Sequence, residues 1–379
     1  MPDPIKVKII GAGPTGLLLA HALNKVGCIV TLYDLQCHEE LIDRNRAYAL
    51  THSSITILKD LDLWDILKTN INSFNSLVIR DNVIRSQVNF SRDDIPFNSR
   101  NSKSVGWVVE HKFLVKQLIS YISQESNVYL KFGQKASNQL EGNDFVIAAN
   151  GIFSHARFQE GIKDWKIKYN KGCLSAKVLL RGADSNKAYE ILRKEGPFAV
   201  LPIGEDVFQI VCSSNLKTCK EMANLSTSLL MDRITSFLPH GIQADCLFEQ
   251  VNVYPNYFFI ARTFYKNKFI LAGEAAHSFH PVGGQGLNLC WRDVHILKNL
   301  FGLISVGKIT PKLLPPLYYI LRIVDVIAIG LATDFLLRIF SNNFRILLPI
   351  RKFLFYLLSR SKIIRKVILS IMTNGISLQ

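Results

Sequence analysis

The stretch IKVKIIGAGPTGLLLAHALNKVGCIVTLYD, residues 5–34, decides the fold of this chain. Apolar runs at 5–10 and 29–33 predict two strands, and the apolar spacing at 17–25 predicts a helix between them. A strand, a turn, a helix and a second strand in this order form a parallel βαβ unit. The sequence therefore predicts a Rossmann-like α/β domain.

The turn between the first strand and the helix carries glycine at three fixed positions. Gly11, Gly13 and Gly16 follow the pattern G-x-G-x-x-G, in which glycine permits a tight turn, leaves room for a pyrophosphate and lets the helix pack closely on the strand. The helix N-terminus offers unpaired N–H groups and a positive dipole to phosphates. Asp34, at the end of the second strand, is placed to accept hydrogen bonds from a ribose. These features predict a dinucleotide site and leave open whether the dinucleotide is NAD or FAD.

Composition and charge limit the class of protein. With 379 residues, of which 48% are hydrophobic, the chain can form one large or two moderate domains. The net charge of +15 is concentrated in residues 301–379, which hold eleven Lys or Arg and two Asp. No zinc-finger spacing or RNA-binding motif accompanies these charges, so nucleic acid is not expected as a partner.

Basic residues in the segment 336–366 alternate with Leu, Ile and Phe. This pattern favours peripheral contact with an anionic membrane surface, and the alternative is a solvated basic face on ordinary packed helices. The longest apolar run, 323–337, contains Asp325 and Asp334 and is too short to span a bilayer. Seven cysteines without a C-x-x-C pair predict neither disulfides nor a metal site. With no leader-like N-terminus, a cytoplasmic protein is expected, either free or peripheral on the inner face of a membrane.

The rest of the chain predicts an interrupted first domain. Short alternating strands at 77–97 and 172–213 are typical of an antiparallel sheet, whereas 268–272 is a buried strand that returns to the first domain. Beyond Pro311 the pattern is helical. The expected fold class is α/β (α+β). A discontinuous dinucleotide domain is expected at 1–75, 98–165 and 262–305, and an inserted substrate domain at 76–97 and 166–261. The C-terminal helices are expected at 306–379.

Two further motifs accompany the glycine turn. NDFVIAANGIFSHAR, residues 143–157, is a buried strand followed by an Asn-Gly turn, and GEAAHSFHPVGGQGLNLCWRDV, residues 273–294, is a glycine-rich loop that opens a helix. The three motifs together resemble the fingerprints of the class A flavin monooxygenases, which share the para-hydroxybenzoate hydroxylase fold. Within that class the chain is similar to the ubiquinone-biosynthesis hydroxylases, in its third motif and in segments at 46–50, 106–114, 194–203 and 319–341.

The resemblance implies a function and a cofactor. FAD would be bound non-covalently, NADPH or NADH would reduce it, and O₂ would form a flavin C4a-hydroperoxide that hydroxylates an electron-rich phenol. The implied substrate is a polyprenylated phenol of ubiquinone or quinone biosynthesis, and the implied partners include a quinone-biosynthesis complex. Two rival hypotheses remain, which are a flavin reductase or dehydrogenase of the same fold without oxygenation and a non-catalytic flavoprotein subunit.

The resemblance also assigns residues. Pro281 and Gly284 would lie beside the reactive part of the flavin, Arg46 would contact its ribityl and phosphate side, and Arg157 would belong to the middle motif. Ordinary surface or salt-bridge roles are the alternatives for Asp34, Arg46 and Arg157, and packing at a helix start is the alternative for His111. The complete expected cofactor-binding set is Gly11, Gly13, Pro14, Thr15, Gly16, Asp34, Arg46, His111, Asn150, Arg157, Gly273, Glu274, Pro281, Gly283, Gly284, Gln285, Gly286, Leu287 and Asn288.

Two residues depart from the pattern of the family. Asn150 stands where the middle motif usually has Asp, which removes a charge and leaves the interaction with the nicotinamide donor open. Glu274 stands where Asp usually binds the ribityl chain, and it keeps the acceptor with one added methylene. His277 and His280 are expected to support the third loop rather than to act as acids or bases.

Overall fold

The computed structural model describes residues 3–95, 104–280, 282–342 and 344–374 and contains three sheets. The strands are β1 (Lys6–Ile10), β2 (Ile29–Tyr33), β3 (Ala47–Leu50), β4 (Asn72–Phe74), β5 (Ser76–Asp81), β6 (Ser86–Ser91), β7 (Gly106–Glu110), β8 (Val128–Lys131), β9 (Phe145–Ala148), β10 (Asp164–Arg181), β11 (Lys187–Leu192), β12 (Phe198–Gly204), β13 (Val207–Asn215), β14 (Gln243–Leu247), β15 (Asn252–Ala261), β16 (Tyr265–Lys266), β17 (Phe269–Leu271) and β18 (His277–Ser278).

Helices cover the sheets and form most of the C-terminal region. They are α1 (Pro14–Lys25), α2 (His38–Ile42), α3 (His52–Asp60), α4 (Trp64–Leu67), α5 (His111–Ile122), α6 (His155–Gln159), α7 (Leu216–Ala223), α8 (Thr227–Thr235), α9 (Gln285–Ser305), α10 (Leu314–Phe340), α11 (Leu348–Arg360) and α12 (Lys362–Asn374).

The first sheet is the predicted dinucleotide-binding layer. Its order is β16-β17-β9-β1-β2-β8, and all neighbours pair in parallel except β16 and β17. The central strands β1 and β9 read as apolar runs because both of their faces are covered, and every residue of β9 is buried. Helices α1, α5 and α9 contribute to the same core. The carboxyl ends of β1, β2, β9 and β17 therefore meet at one edge of the sheet.

The second sheet has nine strands in the order β18-β15-β10-β13-β12-β11-β5-β6, with β14 also paired to β10. All of its pairs are antiparallel except β5 with β11. Its outer face carries large apolar side chains such as Phe198, Val200 and Ile210, which pack against α7 and α8. Its inner face is turned towards the first domain, since Lys177 on this face donates to Glu110 at the end of β7 over 2.7 Å.

A third sheet, β3-β7-β4, contacts β12 of the second sheet through β4 and β7, and contacts α9 through β3. The predicted fold, a Rossmann-like domain with an inserted, mainly antiparallel sheet and C-terminal helices, is confirmed. The boundary expected after residue 165 falls inside β10, because that strand pairs with β15 of the second sheet from Asp164 onward.

Prolines lie in the first turn of two C-terminal helices. Pro315 and Pro349 occupy the second positions of α10 and α11, where the backbone has no intrahelical acceptor and the missing N–H donor costs nothing. Within the described part of the chain, no helix is long and apolar enough to cross a membrane.

Two of the basic residues in the C-terminal segment are not on its surface. Arg351 is fully buried and donates to the carbonyls of Ile339 and Asn342 over 2.7 and 3.1 Å. Arg365 pairs with Asp94 over 2.8 Å. Arg351 and Arg365 therefore do not belong to a solvated or membrane-facing set of charges. They stabilise the packing of the C-terminal helices instead.

Candidate active site

The first motif forms the turn that its glycines predicted. Gly11 has φ +110°, and a Cβ on it would lie 2.6 Å from the Cα of Asn150. A Cβ on Gly16 would lie 1.8 Å from the carbonyl oxygen of Gly11. Gly13 differs, because a Cβ there would meet no described atom within 4 Å. The first and third glycines thus permit close packing, whereas the second faces open space at the N-terminus of α1.

Asp34 closes this turn from the end of β2. Its carboxylate accepts hydrogen bonds from the N–H groups of Ala12 over 2.6 Å and Gln36 over 2.9 Å. Each carboxylate oxygen can accept a second hydrogen bond. The side chain therefore shapes the turn and remains able to bind a ribose hydroxyl.

A cleft of about 550 Å³ runs along the edge where the parallel strands end. All three sequence motifs contribute to its lining, together with the segment that follows β2. The expected site residues that line it are Gly11, Gly13, Pro14, Thr15, Asp34, Arg46, Asn150, Glu274 and Leu287.

The cleft has the properties that an adenine dinucleotide requires. Asn150 Oδ1 and Arg46 Nε are buried at the cleft, and neither atom has a hydrogen-bond partner among the described residues. Although burial favours the neutral form, the neighbouring Tyr48 and Glu274 raise the pKa of Arg46. A permanent cation, free polar atoms and an unobstructed helix N-terminus together suit a pyrophosphate and its sugars. The residues present therefore fit FAD.

The third motif continues from Gly273 into the glycine-rich loop. Gly273 has φ +61°, and a Cβ on it would lie 2.9 Å from Thr15, so this glycine brings the third motif against the first. Gly283 and Gly284 are also left-handed, with φ of +67° and +64°. A Cβ at these two positions would meet Met372 and Ala49, respectively, at 3.0 and 2.8 Å. A side chain at Gly283 or Gly284 would therefore collide with the protein itself, whether or not a cofactor approaches the loop.

The side chain of Asn288 stabilises the start of α9 through hydrogen bonds. Its side-chain N–H group donates to the carbonyls of Gly284 over 2.7 Å and Ala49 over 2.8 Å, and its Oδ1 accepts from Thr51 and Ser54. Gln285 donates to the Gly283 carbonyl over 3.1 Å. Gly286 is exposed on the first turn of α9, and Pro281 lies outside the described residues.

A buried ionic network lies directly behind this loop. Asp293 accepts from the Gly273 N–H group over 2.7 Å, from His277 over 2.8 Å and from Arg322 over 2.6 Å. Asp325 bonds both Arg322 and Arg292. Burial alone would raise the pKa of Asp293, but His277 and Arg322 outweigh it and lower that pKa to about 2. The network therefore holds an ionised carboxylate under the third motif.

Nine of the expected site residues that the structure describes do not line the cleft, namely Gly16, His111, Arg157, Gly273, Gly283, Gly284, Gln285, Gly286 and Asn288. His111 is buried at the start of α5, where Nδ1 contacts the Tyr48 hydroxyl and Nε2 contacts the Leu41 carbonyl, each at 2.8 Å. Burial lowers its pKa to about 4, so the neutral imidazole supports Tyr48, which does line the cleft. Gly16 lies behind the turn, as its packing requires.

Arg157 joins the middle and third motifs. It donates to the carbonyls of Ala275 and Ile152 over 2.9 and 3.0 Å and lies 3.5 Å from Asp164. Its guanidinium carbon lies 4.2 Å above the ring of Phe259. These contacts link the two motifs, and a role of Arg157 towards the cofactor stays a prediction.

The supporting histidines differ from one another. His277 is held by Asp293, whereas His280 is buried with neither ring nitrogen bonded to a described residue. Burial, with the nearby charge of Lys171, lowers the pKa of His280 to about 3. No group of three or more His, Cys, Asp or Glu residues suited to a metal ion occurs in the described ranges.

Sequence reasoning missed Tyr48, Arg44 and Gln36, which also line the cleft, and it missed the partners of Asp293. Arg322 and Asp325 interrupt an apolar helix three residues apart. That unusual placement is the signal that could have identified a buried ion pair.

Comparison with known proteins identifies the family. The FAD binding domain family matches residues 4–89 and 119–315, and the chain belongs to it. An uncharacterized protein of Synechocystis is 27% identical over 76% of this chain and 72% of its own length. The ubiquinone biosynthesis monooxygenase COQ6 of Caenorhabditis elegans is 24% identical over 68% of each chain. The resemblance predicted from the motifs is thus confirmed, and with it FAD as cofactor.

A solved structure shows the same fold. The p-nitrophenol 4-monooxygenase PnpA of Pseudomonas putida superposes with a TM-score of 0.77 at 16% identity, covering 97% of this chain and 96% of its own.

Gly13→Asp is predicted to abolish FAD binding without unfolding the protein. The new Cβ meets no described atom, so the fold is retained, but a carboxylate at the helix N-terminus would repel the pyrophosphate. Flavin absorbance per protein should fall to near zero, with circular dichroism unchanged. Gly302→Asp on α9 is the control and should retain FAD, because its backbone admits a side chain, a Cβ there makes only ordinary contact with Val26 at 3.6 Å, and the position lies away from the cleft. A Gly13→Asp protein with a full complement of FAD would contradict the assignment of this turn.

Asp293→Asn is predicted to destabilise the protein by about 3 kcal/mol, because it leaves Arg322 with one carboxylate fewer inside the core. The free energy of unfolding is measured by denaturant titration. Asp65→Asn, which removes an exposed pair with Lys68, should cost less than about 1 kcal/mol. Equal effects of the two substitutions would show that the buried network does not support the fold.

Proposed function

We propose that the protein is an FAD-dependent monooxygenase that hydroxylates the aromatic ring of a polyprenylated phenol in the biosynthesis of ubiquinone or a related quinone. One observation carries this proposal. The FAD cleft adjoins a second cleft of about 440 Å³ through Arg44 and Arg46, and the far wall of that second cleft is formed by Asn252 and Tyr254 on the inner face of the inserted sheet. A substrate bound on this face would lie between the inserted sheet and the cofactor. The similarity to the ubiquinone biosynthesis monooxygenase of Caenorhabditis elegans supports this choice of reaction.

The roles of this chain's residues follow from the site. Bound FAD supplies the redox chemistry, by taking electrons from a reductant and activating O₂. The helix N-terminus at Gly13 and the cation of Arg46 would hold its phosphates, and Asp34 would hold the adenosine ribose. Pro281 and Gly284 would shape the place where substrate and cofactor meet.

NADPH or NADH is the proposed reductant. Asn150 lies at the cleft with an unpaired Oδ1 and no charge, so it would add no repulsion towards the phosphates of a second nucleotide. Anaerobic mixing of the holoenzyme with each nucleotide would test this directly, through bleaching of the flavin absorbance.

Hydroxylation is tested with the purified holoenzyme, NADPH or NADH and ortho-prenylphenol, a phenol that carries one dimethylallyl group. The expected product contains one added oxygen atom, and isotopically labelled O₂ should place the label in it, as measured by mass spectrometry. A reductase or dehydrogenase of the same fold would consume the reductant without labelling the product. A non-catalytic flavoprotein would not have its FAD reduced by either nucleotide. The monooxygenase, the reductase or dehydrogenase and the non-catalytic flavoprotein therefore predict three different results.

We also propose that the C-terminal helices hold the enzyme on an anionic membrane surface. One side of α10 exposes apolar residues at helical spacing, and α11 and α12 expose further apolar residues; together these are Ile320, Val324, Ile327, Leu331, Phe335, Phe353, Tyr356, Ile363 and Val367. Exposed basic residues flank this surface at Arg345, Lys352, Arg360 and Lys362. Apolar side chains bordered by cations match the interface of a bilayer with anionic lipids, where an insoluble prenylated phenol would be available.

Replacing Arg345, Lys352, Arg360 and Lys362 together by Gln should weaken binding to phosphatidylserine-containing vesicles. Each basic residue near such a surface contributes about 1 kcal/mol, and the effect should diminish as salt is raised. The control replaces four exposed lysines elsewhere by Gln, namely Lys116, Lys131, Lys217 and Lys220.

Co-sedimentation measures vesicle binding in both variants, and FAD content should be normal in each. If the native protein does not bind the vesicles, or if both variants lose binding equally, then the surface is not a lipid-binding face. A quinone-biosynthesis complex would then be the alternative occupant.

A further inference from the structure

A polar patch lies on the inner face of the inserted sheet, next to the second cleft. Tyr254 of β15 lines that cleft, and its partner across the ladder is Cys173 of β10. Cys173 Sγ lies 3.0 Å from Ser213 Oγ on β13, and Asn256 Nδ2 of β15 donates to the same sulfur over 3.1 Å. Because two residues along a strand span about 7 Å, Asn256 lies only about that far from the residue that lines the cleft.

Lys171 lies on the same face of the sheet. It precedes Cys173 by two residues on β10 and pairs with Asn215 of β13, so its side chain leaves the strand on the same side. Its ammonium group forms no ion pair or hydrogen bond with any described residue, although the side chain is half-buried. Burial lowers the pKa of Lys171, and no described carboxylate offsets that effect. Lys171 is thus a cation without a counter-charge on the inner face.

His280 approaches this face from the third motif. It follows β18, the strand that pairs with β15, and directly precedes Pro281. Only 3% of its surface is exposed, and neither ring nitrogen has a partner among the described residues. Burial lowers the pKa of His280 to about 3, and the charge of Lys171 is close enough to contribute. The neutral imidazole therefore lies near Lys171 with an N–H group free to donate.

The two side chains lie close to the expected position of the flavin. Gly283 of the glycine-rich loop follows His280 by three residues, so their Cα atoms lie at most about 11 Å apart. The strand that leads into this loop is itself paired with the inserted sheet. Lys171 and His280 are therefore placed where the inserted sheet meets the loop, which is where substrate and cofactor are proposed to meet.

Apolar side chains continue from the polar patch along the inner face. Val211 precedes Ser213 by two residues on β13, and Ala199 lies opposite Val211 on β12. Both are half-buried, as is Leu201, the next residue of β12 on this face. Polar groups next to small apolar side chains suit a ring that carries both a hydroxyl group and an apolar chain.

A cation and an N–H donor that are buried without partners cost stability unless a ligand satisfies them. An oxyanion would satisfy both, because it accepts hydrogen bonds from the two groups and neutralises the ammonium charge. We infer that Lys171 and His280 bind the phenolic oxygen of the substrate as an oxyanion. On binding, the phenol O–H bond breaks, its proton passes to water and the electron pair remains on the oxygen. The inference rests on the proposed function, in that it takes the ligand to be a phenol.

The preference for an oxyanion can be measured with ortho-prenyl-4-nitrophenol, because its neutral and anionic forms absorb at different wavelengths. The holoenzyme with oxidised FAD is saturated with this probe at a pH where the free probe is half ionised, and the spectrum of the holoenzyme is subtracted. The native protein should bind the anion about 10-fold or more tightly than the neutral form, so that about nine-tenths of the bound probe is ionised. A bound probe that is half ionised or less would overturn the inference.

Substitutions assign the preference to its residues. Lys171→Met keeps the length of the side chain without its charge, so the two forms of the probe should bind about equally, whereas Lys171→Arg should retain the preference. His280→Phe should lower the preference by removing the N–H donor, and His280→Gln should retain part of it. Lys177→Met is the matched control, because Lys177 lies on the same face about 20 Å further along β10 and is paired with Glu110. This control should bind the probe as the native protein does.

A purely structural role for Lys171 and His280 predicts a different result. It would change the affinity for both forms of the probe equally and leave the ionised fraction of the bound probe as in the native protein. That result in Lys171→Met would overturn the inference. The FAD content of each variant, measured by flavin absorbance, should be normal, since neither residue lines the FAD cleft.

These binding measurements are independent of oxygenation. If the native protein prefers the anion through Lys171 but forms no labelled product from ortho-prenylphenol, the proposed function fails and the inference stands. If labelled product forms but Lys171→Met keeps the preference for the anion, the inference alone fails.

Discussion

The buried carboxylate of Asp293 is the interaction on which the rest of the site depends. It lies on α9, yet its three partners come from the third motif and from α10: the Gly273 N–H group, His277 and Arg322. Removing charges from water is costly, and here the cost is offset by close pairing and by hydrogen bonds to nearly every polar atom. Because Gly273 also packs against Thr15, the position of Asp293 is transmitted to the turn at the start of α1. One carboxylate thus fixes the first and third motifs relative to each other.

The same network explains why the C-terminal region is part of the enzyme core. Arg322 and Asp325 belong to α10, and Arg292 of α9 donates to the Met372 carbonyl at the end of α12. Met372 also lies where a side chain on Gly283 would have to be placed. The helices beyond residue 306 therefore support the glycine-rich loop from behind. Their outward sides are free to carry the exposed apolar and basic residues.

The sequence predicted those features that arise from local chain geometry. Gly11, Gly16 and Gly273 could be found because a tight turn or a close approach admits no side chain, and such a requirement is visible within a few residues. Burial of Arg351 could not be predicted in the same way. Arg351 lies two residues after Pro349 in a strongly basic segment. Only the packing of α11 against the end of α10 distinguishes it from its exposed neighbour Lys352.

Glu190 shows the same limit for the inserted sheet. In sequence it is one acid in a short strand, with an alternating pattern that does not say which side faces the cofactor. Only the pairing of β11 with β12 and β5 places it on the inner face. Since a shift of one residue would turn every side chain to the opposite face, the chemical identity of the substrate surface depends on strand register, which is set by long-range contacts.

Arg46 lies where the first domain and the inserted sheet meet. The first domain fixes its backbone, through the hydrogen bond from the His111 N–H group to its carbonyl over 2.9 Å, and Tyr48 lies beneath its guanidinium group at 4.9 Å. The inserted sheet supplies Asn252 and Tyr254 on the other side of the second cleft. The charge that suits FAD is thus held by one domain, while the wall opposite it belongs to the other. A change in the register of β15 would leave the dinucleotide turn intact and still alter the site, because the two clefts meet only where both domains are correctly placed.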